Sequence, residues 1–191
     1  MKEPTTSGIA FIIIDMINDF QFKHGEVLAQ KALQITGPIN QIKEQFKKHH
    51  LPIIYVNDHY QLWQANLNKI IDYCHNPISQ PVIDAIRPSP DDYFLIKPKH
   101  SAFYGTALNT LLHQLQVQTL VISGIAGNIC VLFSANDAYM RDYKLHIPGN
   151  CTASNNDHDN NNALKMMEEV LKADIHSLSS KNYNISSLFP S

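Results

Sequence analysis

Short apolar runs alternate with amphipathic segments along most of the chain. The first run, residues 9–15 (IAFIIID), is continuous and rich in isoleucine, which is typical of a strand buried on both faces of a sheet. Four more runs predict strands at residues 51–57, 92–97, 118–124 and 143–149, and a possible last strand lies at 174–178.

Amphipathic segments between these strands predict helices. In residues 36–50 the apolar side chains of Ile39, Ile42 and Phe46 lie on one stripe, which predicts a helix with Thr36 as a candidate N-cap. Further helices are predicted at 79–88, capped by Ser79, at 106–116, capped by Thr106, and near 156–172, where an asparagine-rich loop precedes the helix.

Strands that alternate with helices imply a parallel sheet with helices on both faces. We therefore predict an α/β fold, a three-layer α/β/α sandwich, as one domain over residues 1–191. Residues 1–8 and 180–191 are expected to be loosely attached termini, because no periodic pattern ties them to the core.

Composition narrows the range of partners and compartments. The formal net charge is −2 and no basic cluster is present, so we expect neither nucleic-acid nor membrane binding. The apolar run at the start is too short to span a bilayer, and no signal-peptide pattern precedes it. The three cysteines (Cys74, Cys130 and Cys151) suit neither a disulfide framework nor a CxxC zinc site, which favours a reducing, cytoplasmic setting.

Three chemically reactive side chains follow or end three predicted strands. Asp15 ends the first strand, Lys97 ends the third, and Cys130 follows the fourth by a short loop. Ligands of open parallel sheets bind beyond the carboxyl ends of the strands, so an acid, an amine and a thiol are expected to converge there.

This trio suits nucleophilic catalysis by a thiol. A helix N-terminus and the Lys97 cation would lower the pKa of Cys130, and Asp15 would accept its proton. Each residue alone has a commoner structural role: a turn aspartate, a solvated lysine, a core cysteine. Lys99, two residues after Lys97, competes for the lysine role.

Three sequence blocks resemble the signatures of the isochorismatase-like hydrolase superfamily. They are residues 12–20 (IIIDMINDF), 97–108 (KPKHSAFYGTAL) and 124–143 (GIAGNICVLFSANDAYMRDY). The resemblance implies a Rossmann-like α/β/α sandwich with a six-stranded, mainly parallel sheet. The retained cysteine places the chain with the cysteine hydrolase branch.

That branch implies a catalytic triad of Asp15 as general base, Lys97, and Cys130 as nucleophile. It also implies a cis peptide between Ile125 and Ala126, with the backbone N–H groups of Ala126 and Cys130 as the oxyanion hole. The expected reaction is hydrolysis of an amide-type C–N bond of a small molecule through a thioester. Family members commonly form dimers or larger assemblies, so a homo-oligomer is expected.

Two departures from the family pattern bear on cofactors and on the turn. Nicotinamidases carry a metal site with an Asp-x-His pair, whereas here Asp58 and His59 are adjacent, and neighbours on an extended segment point to opposite sides. We therefore expect no metal and no other cofactor. Gly127 stands where a threonine is common in the cysteine branch.

The aromatic side chains of Phe20, Trp63 and Tyr104 are candidates for a substrate pocket, with ordinary packing as the alternative. Three functional alternatives to the cysteine amidase remain open. They are a non-catalytic binding or regulatory protein of the same fold, a metal-dependent nicotinamidase, and a redox-sensing thiol protein.

Overall fold

The computed structural model describes residues 8–177, and six parallel strands form the sheet at its centre. The strand order is β3-β2-β1-β4-β5, and β6 also pairs with β4. This arrangement confirms the predicted α/β class and the mainly parallel six-stranded sheet. The strands are β1 (Ile9–Ile14), β2 (Ile53–Asp58), β3 (Tyr93–Lys97), β4 (Thr119–Ile125), β5 (Lys144–His146) and β6 (Thr152–Ala153).

Six α-helices cover the two faces of this sheet. They are α1 (Gly25–Lys48), α2 (Leu67–Cys74), α3 (Gln80–Ile86), α4 (Leu108–Gln114), α5 (Leu132–Tyr139) and α6 (Asp157–Glu169). A π-helical turn, Gly127–Val131, leads from β4 into α5, and a 3₁₀ turn, Gly149–Cys151, precedes β6. None of the helices in residues 8–177 is long and apolar enough to cross a membrane.

Strand β1 lies at the centre because both of its faces are apolar. Phe11 and Ile13 pack into a core with residues of α1, α2 and α3, whereas Ile12 and Ile14 pack into a second core with α4, α5 and α6. Since successive side chains of a strand point to opposite faces, a run of isoleucines supplies both cores at once. The three layers follow from this alternation.

The predicted start of the first helix is wrong. Helix α1 begins at Gly25, and Thr36 lies inside it, where its hydroxyl donates to the carbonyl of Leu33 at 2.8 Å instead of capping the helix. The buried apolar stripe extends back to Leu28. Burial of that stripe stabilises the helix although Pro38, which lacks a backbone N–H, lies inside it.

The sixth strand is formed by a different segment of the chain from the one predicted. Strand β6 pairs Gly124 with Thr152 and Ile125 with Ala153, continuing the edge of β4 beyond its pairing with β5. In the segment predicted as the last strand, Asp174 makes only an isolated bridge to His146, and residue 178 lies outside the described residues. A two-residue strand leaves no periodic pattern for sequence reasoning to find.

The predicted caps have mixed outcomes. Asn156 caps α6 by accepting the N–H groups of residues 158 and 159, as the asparagine-rich loop indicates. Helix α4 has Ala107 at its N-cap position, so Thr106 does not cap it, although its hydroxyl accepts the N–H of Leu108 at 3.2 Å. The Ser79 hydroxyl donates to the carbonyl of Cys74 and does not cap α3. Of the segments expected to be loosely attached, 180–191 and all of 1–8 except Gly8 lie outside the described residues.

Candidate active site

Asp15, Lys97 and Cys130 are in contact at the carboxyl edge of the sheet. Asp15 follows β1, Lys97 ends β3, and Cys130 lies in the π-helical turn after β4. The Lys97 ammonium nitrogen is 2.8 Å from Asp15 Oδ2 and 3.6 Å from Cys130 Sγ. The convergence predicted from strand ends is confirmed.

Asp15 is fixed by the backbone as well as by its side chain. Its φ of 52° lies in the left-handed region, and its N–H donates to the carbonyl of Val56 at 3.1 Å. The second carboxylate oxygen, Oδ1, accepts the N–H of Asp58 at 2.9 Å. Only Oδ2 therefore faces the lysine, and the carboxylate is held in one orientation.

Lys97 is 2 % exposed, and its ammonium has three partners. Besides Asp15 and Cys130, it donates to the backbone carbonyl of Lys99 at 3.1 Å. Burial lowers the pKa of Lys97, but its neighbours, with the Asp15 carboxylate foremost, together raise it by more, so the amine stays an ammonium. Lys97 is the lysine of the site, and Lys99 contributes only its carbonyl.

The expected lowering of the Cys130 pKa is wrong. Burial raises the pKa of this thiol, the Asp15 carboxylate raises it further, and the nearby Lys97 ammonium only partly offsets the two. The resting site is therefore a carboxylate, an ammonium and a protonated thiol. With a carboxylate beside it, the thiol has a proton acceptor available when a substrate arrives.

The backbone before Cys130 turns sharply. The Ile125–Ala126 peptide is cis, as the family resemblance implies. The carbonyl of Ala126 accepts the N–H groups of Ile129 at 3.0 Å and Val131 at 3.2 Å. The N–H of Cys130, which lies between these two residues, does not donate to this carbonyl. Gly124 has φ 117°, and a Cβ there would lie 2.1 Å from the carbonyl oxygen of Ile14.

Gly127 meets a buried polar side chain of α6. A Cβ at position 127 would lie 2.1 Å from Asn160 Oδ1 and 3.3 Å from Ser154 Oγ. The Ser154 hydroxyl donates to Asn160 Oδ1 at 2.9 Å and accepts the N–H of Asn128 at 3.1 Å. In this chain the Asn160 amide occupies the space that a larger residue at 127 would need, and it supports the turn that carries Cys130.

Sequence reasoning missed two side chains that contact Cys130. His100 Nδ1 lies 4.0 Å from Cys130 Sγ. The Ser134 hydroxyl donates to the Cys130 carbonyl at 2.7 Å and accepts the N–H of Ala102 at 2.8 Å. Both residues lie inside the sequence blocks that resemble the family. The contact of His100 with Cys130 depends on packing between segments distant in sequence, whereas Ser134 follows Cys130 by four residues, a spacing that places its hydroxyl near the Cys130 carbonyl in a helix.

The three predicted pocket residues differ in their surroundings. Phe20 is 2 % exposed and packs in the core beside α1. Trp63 is 66 % exposed and stacks on the ring of His59 at 3.9 Å, and Tyr104 is 61 % exposed. Their roles in binding stay predictions.

Asp58 and His59 each take part in a local turn. Asp58 Oδ1 accepts the N–H of Tyr60 at 2.8 Å, and His59 Nδ1 accepts the N–H of Gln61 at 2.9 Å. Within residues 8–177, no cluster of three or more His, Cys, Asp and Glu side chains is placed to hold a metal ion.

Comparison with known proteins shows a close family match. Residues 9–175 match the isochorismatase domain family. The chain is 57% identical over 166 residues to an uncharacterized isochorismatase family protein, YaaI, of Bacillus subtilis, covering 87% of this chain and 92% of that protein.

Two further relatives have named activities. The chain is 44% identical over 62 residues to the ureidoacrylate amidohydrolase RutB of Methylorubrum extorquens, covering 32% of this chain and 25% of that enzyme. The crystal structure of N-carbamoylsarcosine amidase from Thermoplasma acidophilum superposes with a TM-score of 0.70 at 28% identity, covering 92% of this chain and 98% of that one.

Proposed function

Because the chain belongs to the isochorismatase family of hydrolases, we propose that it cleaves an amide-type C–N bond of a small molecule through a thioester on Cys130. One observation carries this proposal: a single buried ammonium, that of Lys97, contacts both a carboxylate and a thiol. That combination provides a nucleophile, a base for its proton and a cation to stabilise the charge between them.

The reaction begins with transfer of the Cys130 proton to Asp15 as the sulfur attacks the substrate carbonyl. The ammonium of Lys97 stabilises the developing thiolate, and the backbone N–H groups of Ala126 and Cys130 receive the oxyanion. The C–N bond then breaks, the amine or ammonia leaves, and water hydrolyses the thioester.

Two relatives support a carbamoyl compound as substrate. Ureidoacrylate and N-carbamoylsarcosine, the compounds in the names of those enzymes, both carry a carbamoyl carbon bonded to nitrogen. We therefore place ureido and N-carbamoyl acids first among candidate substrates, with simple carboxamides after them. The exposed rings of Trp63 and Tyr104 are the proposed apolar contacts, while the buried Phe20 would support the pocket from beneath.

The test is the release of ammonia from N-carbamoylsarcosine, ureidoacrylate and nicotinamide, measured with EDTA and with added zinc. We expect turnover of a carbamoyl compound in EDTA and its loss in Cys130→Ala, with the buried Cys151→Ala as the matched control. Binding without turnover would indicate the non-catalytic alternative. Turnover of nicotinamide that requires zinc would indicate the metal-dependent one.

Assembly and location complete the proposal. We propose a homo-oligomer, which the exposed apolar side chains of Phe133, in α5, and Met140, at the C-cap of α5, support. Sedimentation velocity would detect it, and a monomer at micromolar concentration would contradict it.

A cytoplasmic location remains part of the proposal, supported by the free thiols of Cys74, Cys130 and Cys151.

A further inference from the structure

His100 is a third titratable group at the sulfur of Cys130. Its Nδ1 lies 4.0 Å from Sγ, against 3.6 Å for the ammonium of Lys97. Asp15 and Lys97 are 5 % and 2 % exposed, whereas His100 is exposed. The buried pair therefore approaches the sulfur from the interior, and the imidazole approaches it from the side open to solvent.

The backbone on both sides of His100 is tied to the site. The carbonyl of Lys99 accepts from the Lys97 ammonium at 3.1 Å. The N–H of Ala102 donates at 2.8 Å to the Ser134 hydroxyl, which itself donates to the carbonyl of Cys130. These bonds hold His100 opposite the sulfur although its side chain is exposed.

The ring of His100 is also packed against a side chain of α5, the helix that follows the turn of Cys130. Its centroid lies 5.7 Å from that of Phe133, with 44° between the ring planes. Phe133 is three residues after Cys130, so the π-helical turn and the helix that follows it directly carry the nucleophile and the support for the imidazole. A histidine on a solvated loop would have neither constraint.

The proposed hydrolysis needs a proton donor for the leaving nitrogen. After acylation begins, the thiol proton is on the buried Asp15, while the imidazole of His100 lies on the side of the sulfur that is open to solvent. Building on the proposed function, we infer that His100 is this second proton-transfer residue: it protonates the leaving nitrogen and then accepts a proton from the hydrolytic water. Such a group typically contributes 10²–10⁴-fold to a rate.

The proton balance closes over one turnover. In acylation, the Cys130 proton goes to Asp15, the S–C bond forms, the C–N bond breaks, and the imidazolium of His100 gives its proton to the amine. In deacylation, water adds to the thioester and His100 Nδ1 takes the water proton. The C–S bond then breaks and the thiolate recovers its proton from Asp15.

The second half of this sequence can be tested with p-nitrophenyl acetate. Its leaving group departs as an anion without a proton, so acylation of Cys130 does not need His100. We expect His100→Gln to acquire the acetyl group as fast as wild type but to lose it about 100-fold more slowly. Mass spectrometry of the Cys130 peptide, after excess ester has been removed, gives the lifetime of the adduct.

Two further variants distinguish a chemical role of His100 from a structural one. His113→Gln, an exposed histidine on α4, should leave both rates unchanged. In His100→Ala, free imidazole added after ester removal should shorten the adduct lifetime more than it does in His100→Gln. Imidazole that attacks the thioester from solution acts on both variants, so equal shortening would indicate a purely structural role.

The outcomes distinguish failure of the role of His100 from failure of the proposed function. A wild-type adduct lifetime in His100→Gln overturns the role of His100 and leaves the proposed function standing, and so does equal slowing of both steps. Absence of any adduct on Cys130 in the wild type overturns the covalent mechanism and this inference with it.

Discussion

The ammonium of Lys97 lies closer to the carboxylate of Asp15, at 2.8 Å, than to the sulfur of Cys130, at 3.6 Å. The lysine charge is therefore already paired before a substrate arrives, and it does not hold the cysteine as a thiolate. Asp15 both raises the Cys130 pKa and stands ready to accept its proton. We therefore expect the resting thiol to react slowly with alkylating agents, and we propose that the nucleophile forms during the reaction.

Asp15→Asn should make Cys130 more reactive toward iodoacetamide at pH 7 while abolishing hydrolysis. Removing the carboxylate removes a contribution that raises the thiol pKa and leaves the Lys97 contribution that lowers it. Lys97→Met should have the opposite effect on labelling. Mass spectrometry of the three cysteine peptides measures this, with the buried Cys74 and Cys151 as internal controls.

Slower labelling of Cys130 in Asp15→Asn than in wild type would contradict this electrostatic arrangement. Unchanged labelling of Cys74 and Cys151 in the same sample shows that the variant has not opened the core.

Asp15→Ala should destabilise the protein by about 3 kcal/mol, because it leaves the Lys97 ammonium buried without its carboxylate. The double variant Asp15→Ala/Lys97→Met should lose less than the sum of the two single variants. Urea unfolding followed by circular dichroism measures these free energies. Strict additivity of the two substitutions would contradict the pairing.

Gly127→Ala should destabilise the protein by about 1–3 kcal/mol, because the added methyl group collides with the buried Asn160 amide. Asn160→Ala should remove most of that penalty, giving a clear coupling energy between the two positions in urea unfolding. Gly37→Ala is the matched control, since nothing lies within 4 Å of a Cβ there.

At position 37, inside helix α1, alanine should stabilise by about 0.5–1 kcal/mol. Equal effects of alanine at positions 127 and 37 would show that Asn160 does not restrict the turn.

Alkaline pH should destabilise the fold through its buried thiols. Burial raises the pKa of Cys151 from 9.0 to about 12. Above pH 9 the unfolded chain loses this proton and the folded chain keeps it, so the free energy of unfolding falls by about 1.4 kcal/mol per pH unit per thiol.

Cys151→Ala should therefore show a shallower decline than wild type between pH 9.5 and 11, measured by urea unfolding. The two proteins should have parallel stability curves below pH 8, where both states are protonated. Parallel curves across the whole range would mean that the thiol at 151 is solvated in the folded protein.

Sequence alone predicts the parts of this molecule whose pattern is local. The isoleucine run of β1 is buried on both faces, as its composition requires, and the strand ends bring Asp15 and Lys97 together. What sequence reasoning misplaces depends on packing. The start of α1 is decided by burial of Leu28 and not by the capping potential of Thr36, and β6 exists only through its pairing with β4.

The chemistry of the site also has a part that local sequence predicts and a part that depends on packing. The residue types of the trio follow from the motifs, but the direction of the Cys130 pKa shift does not. It depends on how deeply the thiol is buried and on the Asp15 carboxylate that packing brings beside it. The positions of His100 beside Cys130 and of Asn160 beside Gly127 likewise come from contacts between distant segments, which no spacing along the chain indicates.

The central claim is that Cys130 carries a thioester during amide hydrolysis. Acid quenching during turnover of N-carbamoylsarcosine, followed by mass spectrometry of the whole protein and of the Cys130 peptide, tests it most directly. We expect a substrate-derived adduct on Cys130 that disappears as substrate is exhausted, with neither adduct nor turnover in Cys130→Ala. Turnover of that amide by Cys130→Ala at the wild-type rate, with no adduct in either protein, would contradict the mechanism.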